Sequence, residues 1–451
     1  MHALSPATPA DPAAAADAAV RTILADMAGT DRRGIVVDSP PGAGKTTLVV
    51  AAALDLVDAG EHCMIVAQTN NQVDDLVVRL ASGAPNLRIG RLSSADYSAP
   101  DHLSALPNVT IARKPEELAD VEVVLGTTAK WATVKDHRRR WAIVDEAYQM
   151  RSDMLLLIAG RFERALFVGD PGQLDPFSAV DTPRWLGLPY DPMQSAVAVL
   201  LAHNPDLTPP HRLPVSWRLP ASAAPIVSEA FYPFTGFHAA TADGTRRLEF
   251  SAAGLRSPVD DTLDMAARSG WALHELPARH TLRTDGQAAE AAAQIAARLL
   301  ARRAVGFCER HPGGRPLGPE DIAIGVAHRD QADQVRQALA RIATVAASQI
   351  TVDTANRLQG REFQVTIVLH PLSGRRDATA FHLEAGRLCV LASRHRHACI
   401  VVARAGIADL LDAHPSTEPV HLGVPAKFPD GWEANQAVLA RLADHRVRAP
   451  H

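Results

Sequence analysis

At 451 residues the chain has room for two or three domains with real cores, and with 47% hydrophobic and 21% charged residues it is an ordinary globular protein rather than a disordered or low-complexity one. A formal net charge of -4 excludes a surface that is basic all over, so any nucleic-acid contact has to be a local patch. The four cysteines, Cys63, Cys308, Cys389 and Cys399, form no Cys-x-x-Cys pair. That points away from a zinc module or disulfide framework and fits a reduced, cytoplasmic setting. The Ala/Pro-rich start, MHALSPATPADPAAAADAA, lacks a basic segment followed by a long apolar one, so no signal peptide is expected. No stretch approaches about eighteen consecutive apolar residues, so no membrane span is expected either.

The first strong signal is VVDSPPGAGKTTLVV, residues Val36 to Val50. Gly34–Val37 reads as a buried strand, and the run from Lys45 reads as a helix. A strand feeding a glycine-bearing turn and then a helix aims several backbone N–H groups, and the positive end of the helix, at one spot. That arrangement cradles phosphate. Pro41, Gly42, Ala43, Gly44, Lys45, Thr46 and Thr47 are its candidate contacts. Lys45 would reach the β- and γ-phosphates, and the Thr46 hydroxyl would ligate Mg²⁺. Ser39 stands where the full G-x-x-x-x-G-K-[ST] pattern has its first glycine, and the bland alternative is a chance Gly-Lys-Thr in a turn.

Further along, Thr69, Asn70 and Asn71 follow one strand, and Thr127 and Thr128 follow another. Ala142–Val144 reads as a strand with Asp145 and Glu146 at its carboxyl end, where open parallel sheets collect ligands. Asp145 is the candidate second Mg²⁺ contact, and Glu146 the candidate base that polarises a water. Ala165–Val168 is another strand, ending in Gly169-Asp170 with Gln173 and Pro176 beyond. Gln287–Arg303 reads as an amphipathic helix, and DIAIGVA and VTIVL as buried strands, so a second parallel αβ sheet is expected. In SRHRHAC, His395 and His397 alternate on a strand. Two ligands are too few for a metal site, so a basic strand end is the preferred reading.

Taken in order, these stretches resemble the motifs of the superfamily 1 helicases, in the branch that contains the nonsense-mediated-decay RNA helicase and its DNA-processing relatives. SPPGAGKTT is like motif I, IVAQTNNQVDDL (Ile65–Leu76) like motif Ia, and VVLGTTAKW (Val123–Trp131) like the next single-strand contact. VDEAYQ (Val144–Gln149) is similar to motif II, with Tyr148 where a small residue is usual, and VGDPGQLDP is similar to motif III. LPVSWRLP (Leu213–Pro220) with FYP (Phe231–Pro233) resembles the family's Tyr-Arg-Met-His-Pro region. DIAIGVAHRDQADQV (Asp321–Val335), TVDTANRLQGREFQVTIVL (Thr351–Leu369) and LCVLASRHRHACIVV (Leu388–Val402) are similar to motifs IV, V and VI. The ordered set covers roughly residues 16 to 404.

The resemblance implies an α/β P-loop NTPase of two RecA-like parallel-sheet domains with the ATP cleft between them. It implies ATP and Mg²⁺ as cofactors and single-stranded DNA or RNA as partner. Gln173 would sense the γ-phosphate. Arg218 and Arg394 would enter the cleft and stabilise transition-state charge, and Gln359, Gly360 and Glu362 would face ribose and phosphate. Thr69, Asn70, Thr127 and Thr128 would touch the strand's backbone, contacts that position without reading sequence. Turn chemistry alone is the competing explanation for these four. Trp131 and Trp217 could stack on bases or simply pack.

The expected organisation is lobe one over 1–190, with a small insert at about 82–118, lobe two over 191–430, and a C-terminal helix and tail over 431–451. FHAATADGTRRLEFSAAGLRSPVDD, inside lobe two, reads as a loop. Three departures accompany the resemblance. Little precedes motif I, so an accessory barrel is expected to be missing and a protein partner could supply it. Neither lobe has room for a large duplex-engaging insert. Ala16 falls where the family carries its adenine-reading glutamine. The leading function is therefore an ATP-dependent helicase or translocase on single-stranded nucleic acid. The alternative is an ATP-gated nucleic-acid-binding switch without unwinding. A third reading, a small-molecule P-loop kinase, leaves Gln173, Arg218 and Arg394 without a role.

Overall fold

The computed structural model describes residues 11–29, 32–174, 176, 185, 194–207, 209–342, 349–415 and 430–450. The described chain forms two compact units. One comprises Ala13–Pro171 and the described residues of 175–214; the other comprises residues 11–12, Gly172–Leu174 and the described residues from Val215 onward.

The first unit is built on eight strands: β1 Gly34–Asp38, β2 Cys63–Ala67, β3 Ile89–Leu92, β4 Val109–Ala112, β5 Val123–Thr127, β6 Arg139–Asp145, β7 Phe162–Gly169 and β8 His211–Arg212. Their order is β4-β3-β5-β2-β6-β7-β1-β8, and every pairing is parallel. Strands β1 and β2 are buried along their whole length, as near-continuous apolar runs must be in a sheet covered on both faces. The helix Lys45–Asp58 covers one face with Leu48, Val49, Ala52, Ala53 and Leu56. The stretch read as an insert is part of the sheet, since β3 and β4 extend it at one edge. At the other edge β8 pairs with β1 through Val37 and Asp38, so the first unit continues past 190, to Pro214.

In the second unit, β9 Val215–Ser216 pairs with β10 His238–Ala239. An antiparallel sheet orders β11 Arg247–Phe250, β13 Ala304–Cys308 and β14 His311–Pro316 as β11-β13-β14. The main sheet has β12 Trp271–Leu276, β15 Ile322–Val326, β16 Thr351–Thr354, β17 Phe363–Leu369, β18 His395–Arg404 and β19 Arg446–Arg448, ordered β16-β15-β17-β18-β12-β19 and again all parallel. The stretch 237–261 is not a plain loop. It holds β10 and β11, and a helix, Pro258–Ser269, starts within it, its Ser257 cap accepting from the Asp260 N–H.

The helix read over Gln287–Arg303 spans Gly286–Ala301. Asp285 caps it by accepting from the Gln287 and Ala288 N–H groups, the usual way to satisfy orphan donors at a helix start. It buries an alanine-rich face that includes Ala288, Ala289, Ala292 and Ala296. The C-terminal helix Gly431–Leu442 sets Ala434, Val438 and Leu442 into the same core as Ile226, Phe231 and Leu388. Among the described residues no helix is long and apolar enough to cross a membrane.

Candidate nucleotide site and nucleic-acid contacts

The phosphate loop starts where β1 ends. The Ser39 N–H donates to the Gly169 carbonyl at the end of β7 (2.8 Å), and the Ala43 N–H donates to Pro40 O (3.1 Å). Gly42 and Gly44 adopt left-handed backbone, φ 72° and 87°, which only glycine enters without steric cost. Gly44 is the N-cap of helix Lys45–Asp58 and carries no capping side chain. The first-turn N–H groups of that helix thus lack an intrahelical acceptor, and an anion can take that place. The Ser39 hydroxyl is buried with no hydrogen-bond partner.

β6 delivers Asp145 and Glu146 to the carboxyl edge of the same sheet. Glu146 is one of two non-glycine residues with positive φ among the described residues (51°), and such backbone concentrates at functional sites. Its N–H donates to Asp145 Oδ1 (3.0 Å). Its carboxylate forms an ion pair with the Lys45 ammonium, while Glu146 Oε2 is buried without a partner. Burial pulls the Lys45 pKa down, but Glu146, Asp145 and Asp170 outweigh it and hold the ammonium above its ordinary value. Burial and the Glu146 charge raise the Asp145 carboxyl against the pull of Lys45. Thr46 and Asp145 are hard oxygen donors of the type Mg²⁺ takes. With the left-handed loop and the lysine, they fit a magnesium nucleotide.

Tyr148, the unusual residue in motif II, is buried, and its hydroxyl donates to Asp38 Oδ1 at the end of β1. Gly169 makes room for it: a Cβ there would lie 2.9 Å from the Tyr148 ring. Sequence reasoning missed Asp38, although an aspartate closing an apolar strand beside the phosphate loop was the signal to look for.

The remaining candidates belong to the second unit. Gln359 Nε2 donates to Gln173 Oε1 (2.9 Å), so the motif III and motif V glutamines meet directly. Arg218 Nε donates to Glu362 Oε2 (3.3 Å), and Arg396 Nη1 donates to Glu362 Oε1 (2.8 Å). Burial alone would raise Glu362, but Arg218 and Arg396 hold it below its usual value. Gly360 is exposed with φ 79°. Arg394 is only 1% exposed; its Nε donates to Val390 O (3.1 Å) and its Nη2 to Ser393 Oγ (2.8 Å). It is therefore anchored at its own helix end, whereas Arg218 reaches Glu362.

His395 and His397 are buried. His395 meets the Trp271 ring edge-on, with centroids 5.0 Å apart, and His397 Nε2 pairs with Phe307 O (2.9 Å). Among the described residues no group of three or more metal-capable side chains forms.

The four strand-contact candidates make the local bonds that turn chemistry requires. Thr69 forms a reciprocal capping box with Gln72 at helix Asn70–Gly83, and Thr127 accepts from the Lys130 N–H (3.2 Å). Buried Thr128 bonds Ala67 O and Gln68 Oε1. Asn70 accepts from Arg91 Nη2 (2.8 Å), and Arg91 is itself buried and paired with Asp74 (2.9 Å). Thr69 and Asn70 remain exposed. Trp131 is a packing residue, fully buried with its indole N–H on Ile65 O (3.3 Å). Trp217 is 44% exposed.

A family model described as an AAA domain matches residues 17–187, and a different model with the same description matches residues 273–406. The "DNA replication ATP-dependent helicase/nuclease DNA2" of Saccharomyces cerevisiae is 28% identical over 156 residues, 33% of this chain and 10% of that protein. The "DNA replication ATP-dependent helicase/nuclease JHS1" of Arabidopsis thaliana is 32% identical over 143 residues, 30% of this chain and 10% of that protein. The matched stretch thus spans about a tenth of the length of these relatives. Two solved structures of arterivirus nonstructural protein 10 (helicase), one of them a complex with DNA, are 14% identical with TM-scores of 0.42. They cover 86% and 87% of this chain and 61% and 65% of theirs.

Proposed function

We propose that this chain, which belongs to the superfamily 1 helicases, hydrolyses ATP and spends that reaction on moving along, or separating, strands of nucleic acid. The observation that carries the reading is the buried Lys45–Glu146 pair beside Asp145, with Glu146 held in left-handed backbone. An arriving triphosphate offers Lys45 a more highly charged partner. Lys45 then moves to the phosphates and leaves the Glu146 carboxylate to orient a water and accept its proton. Thr46 and Asp145 would hold Mg²⁺, which when bound neutralises charge on the phosphates. The loop N–H groups of residues 41–47 bind phosphate oxygens. Gln359, Gly360 and Glu362 serve the nucleotide's ribose and phosphate side. Arg218 and Arg394 supply positive charge to the transferring phosphoryl group.

Gln173, bonded to Gln359, links nucleotide state to strand grip. Thr69, Asn70, Thr127 and Thr128 contribute contacts to the strand's backbone from the amino ends of the helices Asn70–Gly83 and Thr128–Ala132. Single-stranded DNA is the first substrate to test, because both curated relatives are named for DNA replication. ATPase rates measured with and without single-stranded DNA and RNA at low salt test the reading, with a strand-displacement assay beside them. Stimulation that weakens as salt rises is the expected result. A rate that neither polymer changes rejects the motor. Stimulation without displacement or translocation favours the ATP-gated switch.

A further inference from the structure

Arg246 lies outside every nucleotide motif, just before β11, yet its side chain is 1% exposed. A guanidinium removed from water has to satisfy its donors or lose several kcal/mol. Arg246 does so with one side chain and two consecutive backbone carbonyls. Its Nε and Nη2 form a fork on Glu309 (3.0 and 2.6 Å). Its Nη1 and Nη2 donate to the carbonyls of Arg218 and Trp217, the latter at 2.8 Å. Glu309 occupies the turn between β13 and β14, where Cys308 faces His311.

The chain of contacts continues. Glu309 Oε1 also takes Arg396 Nη2 (3.4 Å), Arg396 Nη1 holds Glu362 (2.8 Å), and Glu362 holds Arg218 (3.3 Å). Five residues, three arginines and two glutamates, thus form a ring that begins at the backbone of Arg218 and returns to its guanidinium. The two ends differ in strength. At the backbone end a buried guanidinium makes two bonds to carbonyls and a two-bond fork on Glu309, charge-assisted bonds that are the strong kind. The side-chain end is a single contact to a carboxylate whose side chain is 45% exposed, and water weakens it. Arg218 Nη1 is buried with no hydrogen-bond partner.

We propose that Arg246 and Glu309 are positioning residues for Arg218, holding its backbone rigidly while Glu362 holds its guanidinium loosely enough to hand it to a phosphoryl oxygen. The inference rests on the role proposed above for Arg218. Arg246 and Glu309 flank strands of the antiparallel sheet β11-β13-β14, and Arg396, on β18 of the parallel sheet, links Glu309 to Glu362.

The test is a double-mutant cycle on ATP turnover. Arg246→Ala lowers kcat about 10- to 100-fold, as expected for a misplaced catalytic group, with KM for ATP little changed. Arg246→Lys keeps the charge, loses the fork and stays impaired. In an Arg218→Ala background, Arg246→Ala adds no further loss of kcat. Where Arg246→Ala does not fold, Glu309→Gln stands in for it, at a surface turn and with the same pattern. An equal loss of kcat in both backgrounds, or a normal kcat in Arg246→Ala, overturns the positioning role and leaves Arg218 standing. A normal kcat in Arg218→Ala overturns the role of Arg218 and this inference with it.

Discussion

The two units gather charge in different ways. In the first, β1, β6 and β7 are adjacent parallel strands that end at one edge, so Lys45, Asp145 and Glu146 meet because each directly follows a strand or its loop. In the second, the ring around Arg218 draws on five separate stretches, near 218, 246, 309, 362 and 396, and closes through a small antiparallel sheet. The histidines divide in the same way. His274, His370, His382, His395 and His397 are buried in the second unit, whereas no described histidine of the first is buried. A site made by strand ends is compact and tolerates little change. A site made by long-range pairs leaves room for a side chain to change partners.

Breaking the first unit's site should have the largest effect. Lys45→Ala is expected to abolish nucleotide binding and turnover, read by nucleotide titration and phosphate release. Glu146→Gln is expected to keep binding and to lower kcat by about 10²–10⁴-fold, the usual range for a lost general base. Full activity in Glu146→Gln would remove it from that role.

Next comes Arg394→Ala, which tests whether the second unit offers charge from a buried anchor as well as from Arg218. If Arg394 acts on the reacting phosphate, kcat falls by about 10²–10³ while ATP binding stays near normal. A fall in melting temperature with unchanged kcat per folded molecule would make it structural instead.

Acid should sharpen the contrast between the units. Burial pushes His274, His370 and His397 down to about 4 and His395 to about 3, from 6.5. Between those values the unfolded chain holds protons that the folded one refuses, so stability falls as pH drops. The contribution is complete above about pH 6.5 and is lost progressively toward pH 4. Each imidazole is worth on the order of 1–2 kcal/mol near pH 5. Hydrogen exchange at pH 7 and pH 5 should show β12, β17 and β18 losing protection before β1, β2 and β6. The reverse order would contradict the assignment.

The smallest expected effect is local. Tyr148→Phe removes the donor to Asp38 and leaves a buried acceptor underpaired, which costs about 1–3 kcal/mol. Thermal unfolding should register it, with turnover reduced less than tenfold. A neutral substitution would mean that the Asp38 contact contributes nothing to holding β1 against motif II.

Sequence by itself determined the parts whose geometry is local. A strand, a glycine turn and a helix beginning at Lys45 aim backbone N–H groups at one spot whatever surrounds them, and Asp145-Glu146 at a strand end follows the same logic. The two parallel sheets were legible from alternating strand and helix patterns, and the pairing of Arg218 with Glu362 lies within the residues marked as candidates. Tertiary structure alone decided the rest. It turned the supposed insert into β3 and β4 and the supposed loop into β10 and β11. Each of these strands is two to four residues long, too short for a periodicity to register. It also seated Arg394 in the core, put Tyr148 on Asp38 against a glycine 21 positions away, and chose Arg246 and Glu309 as the support for Arg218. A guanidinium carries five donors and no preferred sequence neighbour. Only the folded backbone determines which carboxylates and carbonyls it finds.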